Sequence, residues 1–513
     1  MKLRTMFRMT VCAVALVTML PGTAIILRAQ SRQEPAAGVN HRNSDGSTPL
    51  QWAVYEGDVA EVRRLLKIGA DVSLANNYGA TPMGLAAEVG NAEILKLLLE
   101  AGANADSPNP EGQTALMAVA RTGSVAAAQL LLDHGATVDA REKWGGQTAL
   151  MWASARRHPK MMELLIAKGA KVDARSIDRE YQRHVTAEGR PKNLDTGGLT
   201  PLLYAARENC LACVKVLLDK GADINLPDPD GVSPLLLAIM NANWDLAKQL
   251  ILAGADTNQW DIYGEAPLFT AIGLRSKLDG GRASIDPPNE TDGMTIVRML
   301  LERKANPNMQ LFFRPAGVSG KTMTRGSTPL IRAATSADLE VVKLLLEHGA
   351  DVNLHMADRQ TATMAVLTGR ASEKQALELI RLLHKAGENI NVVALVNHRE
   401  ETRGGSALHY AVRKRYKEVI KELASYGIDM NAKDQDGLTA LDYTQSRGFM
   451  PFMALQTPVY ADVATLLREL GATEEVKRNV VWPTLGPPQG VDADIWPLGE
   501  SGVYEPFYRH SVD

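Results

Sequence analysis

One segment, TPLLYAARENCLACVKVLLDKGADIN where it begins at Thr200, returns again and again along the chain. Copies begin at Thr48, Thr81, Thr114, Thr148, Thr200, Ser233, Ala266, Thr328, Thr361, Ser406 and Thr439, which makes eleven. Undisturbed neighbours stand 33 residues apart. Length alone would suggest about three or four ordinary globular domains. The period replaces that expectation with an array. A unit of this size cannot bury its apolar face alone, so neighbouring copies must stack and share one core.

The first copy shows what each unit folds into. Thr48 is a helix N-cap and Pro49 a first-turn proline. Leu50 and Ala53 begin a short apolar face, and Gly57 breaks the helix. Asp58 caps the next one, and its spacing to Glu61 is that of a capping box. Leu65 and Leu66 form a second apolar stripe, and Gly69 supplies a left-handed stop. A polar stretch follows, with turn signals such as Asp45-Gly46, Tyr78-Gly79 and Asp436-Gly437. Each unit therefore reads as two short antiparallel helices and a protruding turn. Neither helix is long enough to persist without its neighbours.

The Thr-Pro-Leu start, the Ala pair, the Leu-Leu and the Gly-Ala-Asp-Val-Asn ending, written HGADVN at His348 to Asn353, resemble the ankyrin repeat. The resemblance covers residues 43 to about 473. It implies an all-α ankyrin-repeat solenoid of about eleven helix-turn-helix repeats with protruding β-turn or hairpin loops. It also implies that the concave face, built from turn tips and first helices, binds another protein. The matching positions here are Tyr78, Trp144 and Tyr263 at the tips. On the first helices they are Tyr55, Arg121, Arg156, Arg207, Arg413 and Lys414, among acidic neighbours Glu56, Glu88 and Glu208. Trp52, Trp152, Tyr204, Tyr410 and Tyr443 recur four positions after a repeat start. They read first as packing of the inner helix row, and alternatively as anchors lining a groove.

The flanks differ from the array. Residues 1–29 carry Lys2, Arg4 and Arg8, then an apolar stretch from Met9 to Leu27 without an acidic residue, with small residues at Ala24 and Ala29. This is the pattern of a secretory signal, with an uncleaved membrane anchor as the rival. Together with KWGGQTALMWA at Lys143 to Ala153, it resembles exported ankyrin-repeat proteins of bacteria. Residues 30–42 read as a linker, 43–474 as the repeat domain and 475–513 as a tail rich in Pro and aromatics. The implied destination is the periplasm or the exterior. No other segment is long and apolar enough to span a bilayer.

The period is stretched where insertions enter, after Val172, around 274–327 and around 393–405. Those after Val172 and within the Ala266 repeat are expected to interrupt coupling between neighbouring repeats. A formal net charge of -3 argues against nucleic acid as a partner. PAGVSGKT at Pro315 to Thr322 approaches a phosphate-binding loop. It lacks the first glycine, and the next repeat follows where a long helix is needed. The histidines are scattered, so no metal site is expected, and no cofactor or catalytic constellation emerges. His134 and His348 precede a helix-ending glycine, where a cation suits the helix C-terminus.

Cys12, Cys210 and Cys213 are the three cysteines. Cys210 falls at the cap of a second helix, where other repeats carry Asp58, Asn91 or Asp338. Cys213 aligns with Ile94, Met161 and Val341 at an inward position. The pair therefore reads as a cap and a small core residue, with a disulfide formed after export as the rival. The overall reading is a non-enzymatic scaffold that binds a protein. An enzyme with a site in the insertions, and a secreted effector acting on a host protein, are the alternatives.

Overall fold

The computed structural model describes residues 38–178, 197–276, 289–312, 325–395, 404–435, 437–444 and 460–473. The chain divides into two compact units, Met1–Thr137 and Val138–Asp513. The first unit holds three helix pairs: α1 (Pro49–Glu56) with α2 (Val59–Lys67), α3 (Pro82–Val89) with α4 (Ala92–Glu100), and α5 (Ala115–Thr122) with α6 (Val125–Asp133). The second opens with α7 (Ala149–Ala155) and α8 (Pro159–Ala167), α9 (Pro201–Arg207) and α10 (Leu211–Asp219), and α11 (Pro234–Met240) and α12 (Trp244–Leu252). It continues with α13 (Pro267–Arg275) and α14 (Gly293–Glu302), then α15 (Pro329–Thr335) and α16 (Leu339–Glu347). Next come α17 (Ala362–Thr368) and α18 (Glu373–Lys385), then α19 (Ala407–Lys414) and α20 (Lys417–Ser425). The unit ends in a single 3-10 turn (Asp442–Thr444) and α21 (Ala461–Glu469). The helix read to begin at Thr439 is thus that 3-10 turn among the described residues.

No β-strand occurs among the described residues. Isolated antiparallel bridges join Asp178 to Gly197 and Ala394 to Gly405, at the feet of two insertions. The signal segment, most of the linker, the Pro315–Thr322 loop and the tail lie outside the described residues.

The start signals act as the sequence indicates. Thr48 accepts from the Gln51 amide, and Gln51 Oε1 accepts from the Thr48 amide at 2.7 Å, closing a capping box. Thr81, Thr200 and Thr328 each accept from the amide three residues on, without the reciprocal bond, ahead of Pro82, Pro201 and Pro329. The box expected at Asp58 and Glu61 is different. Asp58 accepts from the Glu61 amide at 3.0 Å, but its own amide is already donated to the Ala53 carbonyl at 2.9 Å. The Glu61 carboxylate turns instead to Arg64, with both contacts at 2.8 Å.

The stops show a second difference. Gly57, Gly90 and Gly123 end the first helices with positive φ, as expected. At the equivalent positions of later repeats the left-handed residue is Arg157, Asn209, Ala242, Ala337 or Arg415. Lys304 occupies a second-helix stop at φ 64°, where Gly69 and Gly102 lie at 87° and 84°. The packed helices before and after the turn hold these residues in a conformation that costs an L-residue about 1–2 kcal/mol.

Neighbouring repeats are also stitched by side-chain hydrogen bonds. Asn225, Asn258, Asn308, Asn353 and Asn391 each accept, through Oδ1, a backbone amide of the following repeat at 2.6–2.9 Å. The ladder crosses the insertions. Asn258 reaches Asn306, and Asp173 reaches the Asp223 amide at 3.1 Å. Contact between neighbouring repeats thus continues on either side of the insertions that the sequence reading expected to interrupt coupling. They leave from loop positions, so α7 still packs on α9, and α13 on α11 and α15.

Candidate partner-binding surface

In the first unit, α1 presents Trp52 and Tyr55 edge to face, with ring centroids 6.1 Å apart. Tyr55 is 60 % exposed and Trp52 47 %, so Trp52 is not the packing residue its position suggests. Tyr78, at a turn tip, is 76 % exposed. Arg121 on α5 is ion-paired with Glu88 on α3. That pairing consumes a charge that the sequence alone would offer to a partner.

In the second unit, Trp144 is 70 % exposed on a tip whose backbone is held rigidly. The buried Glu142 carboxylate accepts from the amides of Trp144 (2.6 Å), Gly145 (2.7 Å) and Gln147 (2.9 Å). Below it, α7 and α9 border an open cavity of about 230 Å³ lined by Gln147, Trp152, Arg156, Tyr204, Arg207 and Glu208, among others. Tyr204 is buried, and its Oη accepts from Gln147 Nε2 at 2.7 Å. Arg207 lies over the Tyr204 ring, 5.0 Å from its centroid, and donates to Glu208 at 3.1 Å. Arg156 and Arg207, two of the residues picked from the sequence, are therefore brought together. Trp144 and Tyr263 lie outside the cavity lining.

Farther along, Arg413 sits between the rings of Tyr410 and Tyr443, at 5.7 and 4.8 Å from their centroids, and donates to Tyr443 Oη at 3.3 Å. Lys414 donates to the Gly369 carbonyl at 3.1 Å. Tyr204 and Tyr410 are each 3 % exposed, in keeping with the packing reading. Trp260 is exposed and meets Phe312 edge to face at 6.0 Å. Sequence reasoning passed over this pair because neither residue occupies a tip or first-helix position. The signal was there in Leu311-Phe312-Phe313, an apolar run inside a loop.

Cys210 and Cys213 are joined by a disulfide, with Cα atoms 5.2 Å apart. Both are buried, and Cys210 Sγ accepts from the Cys213 amide at 3.2 Å in the cap position. The alternatives of cap, core residue and disulfide thus coincide in one arrangement. His134 and His348 place Nδ1 2.8 Å from the Leu130 and Leu344 carbonyls at the ends of α6 and α16.

Two buried carboxylates are pushed strongly upward. Burial pushes Asp228 up to about 6, and the charges of Asp230 and Asp261 add to it, against hydrogen bonds from the Val232 and Asp230 amides. Burial also raises Glu388, despite its bonds from Thr363 and Thr361. Neither group sits in a cluster that could hold a metal. No group of three or more metal-ligating side chains occurs among the described residues. Among the same residues, no helix is long and apolar enough to cross a membrane.

Models of the ankyrin-repeat family match residues 22–109, 101–176 and 369–451 (ankyrin repeats, three copies) and 197–229, 230–262 and 325–357 (ankyrin repeat). The ankyrin repeat, SAM and basic leucine zipper domain-containing protein 1 of Dasypus novemcinctus is 32% identical over 104 residues, 20% of this chain and 20% of that protein. The transient receptor potential channel pyrexia of Drosophila melanogaster is 31% identical over 146 residues, 28% of this chain and 14% of that protein. The chain thus matches only a small part of either relative's length. The crystal structure of the ankyrin repeat domain of Bcl-3 aligns with 50% of this chain and 99% of that domain, at 27% identity and a TM-score of 0.38.

Proposed function

The chain belongs to the ankyrin-repeat family, whose repeats serve as protein-interaction scaffolds, and we propose that it is a non-enzymatic scaffold binding a protein partner through its turn tips and first helices. The observation that carries this reading is Trp144. A large apolar side chain is held 70 % exposed on a tip that Glu142 makes rigid. Ordering such a tip in advance lowers the entropic cost of docking, and aromatic anchors dominate many interfaces. Tyr78 and Tyr55 offer the same chemistry in the first unit. The basic, apolar N-terminal segment supports export, so the partner is sought outside the cytoplasm.

The test uses capture from the native host by the mature chain. Trp144→Ala and Tyr78→Ala should each weaken capture of the identified partner by at least tenfold. Lys96→Ala and Lys215→Ala, on second helices where each lysine pairs with its own helix, should leave it unchanged. Equal losses from both sets would overturn the assignment of the surface.

A further inference from the structure

The inner-face cations named above are mostly spent within the protein. Arg121 is paired with Glu88, Arg413 is stacked between two tyrosines, and Lys414 is bonded to a backbone carbonyl. Arg156 differs from all of these. It is exposed at the end of α7, where its amide caps the helix, and its guanidinium has no hydrogen-bond or ion-pair partner among the described residues. It borders the same 230 Å³ cavity as Arg207, whose guanidinium is steadied by the Tyr204 ring beneath it and by Glu208 beside it. With two arginines against one glutamate, the cavity lining carries a positive excess, in a chain whose formal net charge is -3. Trp152 forms a wall of the same cavity, and its Nε1 is buried without an acceptor. Two guanidinium-bearing side chains bordering one space favour an incoming acceptor of negative charge.

The volume limits the occupant. A space of about 230 Å³ is below the usual range for a whole small-molecule site, but it holds one amino-acid side chain. We propose that this cavity receives a single Asp or Glu side chain from an extended segment of a protein partner, its carboxylate set between Arg156 and Arg207 with Trp152 as the wall. The proposal rests on the scaffold reading and adds the chemistry that the partner must present. Arg207 is pre-positioned over Tyr204, and Arg156 supplies a charge that no described residue has claimed. Planar guanidinium donors suit a carboxylate better than a lysine would.

The experiment titrates the full mature chain, with indole nitrogens labelled with 15N, using the blocked peptide acetyl-Ser-Gly-Glu-Gly-Ser-amide. The Trp152 resonance is assigned as the one missing in Trp152→Phe. It should shift and saturate with the Glu peptide and stay in place with the otherwise identical Gln peptide. Arg156→Gln should weaken the Glu peptide about tenfold, the loss of one charge-assisted contact. Arg121→Gln, in the first unit, should leave it unchanged. Equal binding of the Gln peptide would overturn the proposal, as would no shift at millimolar peptide or indifference to Arg156→Gln. Free glutamate binding as tightly as the peptide would make this a small-molecule site and overturn it too. These outcomes are separable from the scaffold reading. Loss of partner capture in Trp144→Ala with a failed peptide titration sinks only the carboxylate pocket. A sound titration with no captured partner sinks only the scaffold.

Discussion

Asp228→Asn should make the protein more stable at neutral pH. Asp228 opens the turn Asp228-Pro-Asp-Gly, and its Oδ1 accepts from the amides of Asp230 (2.9 Å) and Val232 (2.8 Å). An amide oxygen can accept both bonds. The same chain shows this, because Asn76 Oδ1 accepts from Tyr78 and Ala80 at the equivalent place, and Asn43 and Asn109 stand there in the other two repeats of the first unit. The charge is therefore dispensable to the turn, while burial raises the carboxyl from 3.8 to about 6. At 1.36 kcal/mol per tenfold change in proton affinity, the rise from 3.8 to about 6 sets a ceiling of about 3 kcal/mol. The side chain retains partial contact with water, so a gain of about 1–2 kcal/mol is the working figure.

The sign follows from the raised value. Above about pH 6 folded Asp228 is ionised and the whole cost is present. Between about 6 and 3.8 the folded chain holds a proton that the unfolded chain has released, so stability rises as pH falls. Below 3.8 both states are protonated and the cost is gone. The variant should thus melt higher at pH 7, and its advantage should vanish toward pH 4. Thermal unfolding followed by circular dichroism across pH 4–8 measures this, with hydrogen exchange of the Val232 amide as the local reading, since a repeat array need not unfold in one step. An advantage that does not change with pH, or a variant less stable at pH 7, would refute the reasoning.

Lys304→Gly should stabilise by about 1 kcal/mol, because the left-handed stop no longer carries a Cβ, and an unchanged melting temperature would argue against strain there. Asn308→Ala removes an acceptor for the Asp351 amide and a donor to the Gly349 carbonyl, and should cost about 1 kcal/mol, read as faster exchange at Asp351. Thiol alkylation of the exported protein without reductant, followed by mass spectrometry, should find Cys210 and Cys213 unmodified, and two alkylated cysteines would refute the bond in the cell. Reduction should lower stability by no more than about 2 kcal/mol, since the loop is so short, and a larger loss would mean the bond restrains more than its own turn.

Much of the fold was legible because its rules are local. A Thr before Pro, a Gly-Ala pair and a Leu pair each act within one turn of helix, so Thr48, Pro82 and Gly69 take the roles their types imply. Where a role depends on competition, the type misleads. Glu61 has the right spacing for a box, but Arg64 lies within reach and the Asp58 amide is already taken. Ala242, Ala337 and Arg157 stand where the pattern asks for glycine, and nothing in their chemistry signals a left-handed turn. Packing on both flanks imposes it.

The candidate surface divides in the same way. By itself the sequence determined the period, the two-helix unit and the register of the repeats before Thr439, because apolar spacing and caps depend only on near neighbours along the chain. From that register it picked Arg156 and Arg207. Only the tertiary structure decided what became of such residues. An insertion separates those two arginines along the chain, and they meet across one cavity because α7 and α9 stay packed on one another. Arg121 and Arg413 come from the same register and are consumed by Glu88 and by two tyrosines. Which charge is left free depends on the side chains that the adjoining repeat brings within a few ångströms, and that is a property of stacking rather than of any one repeat.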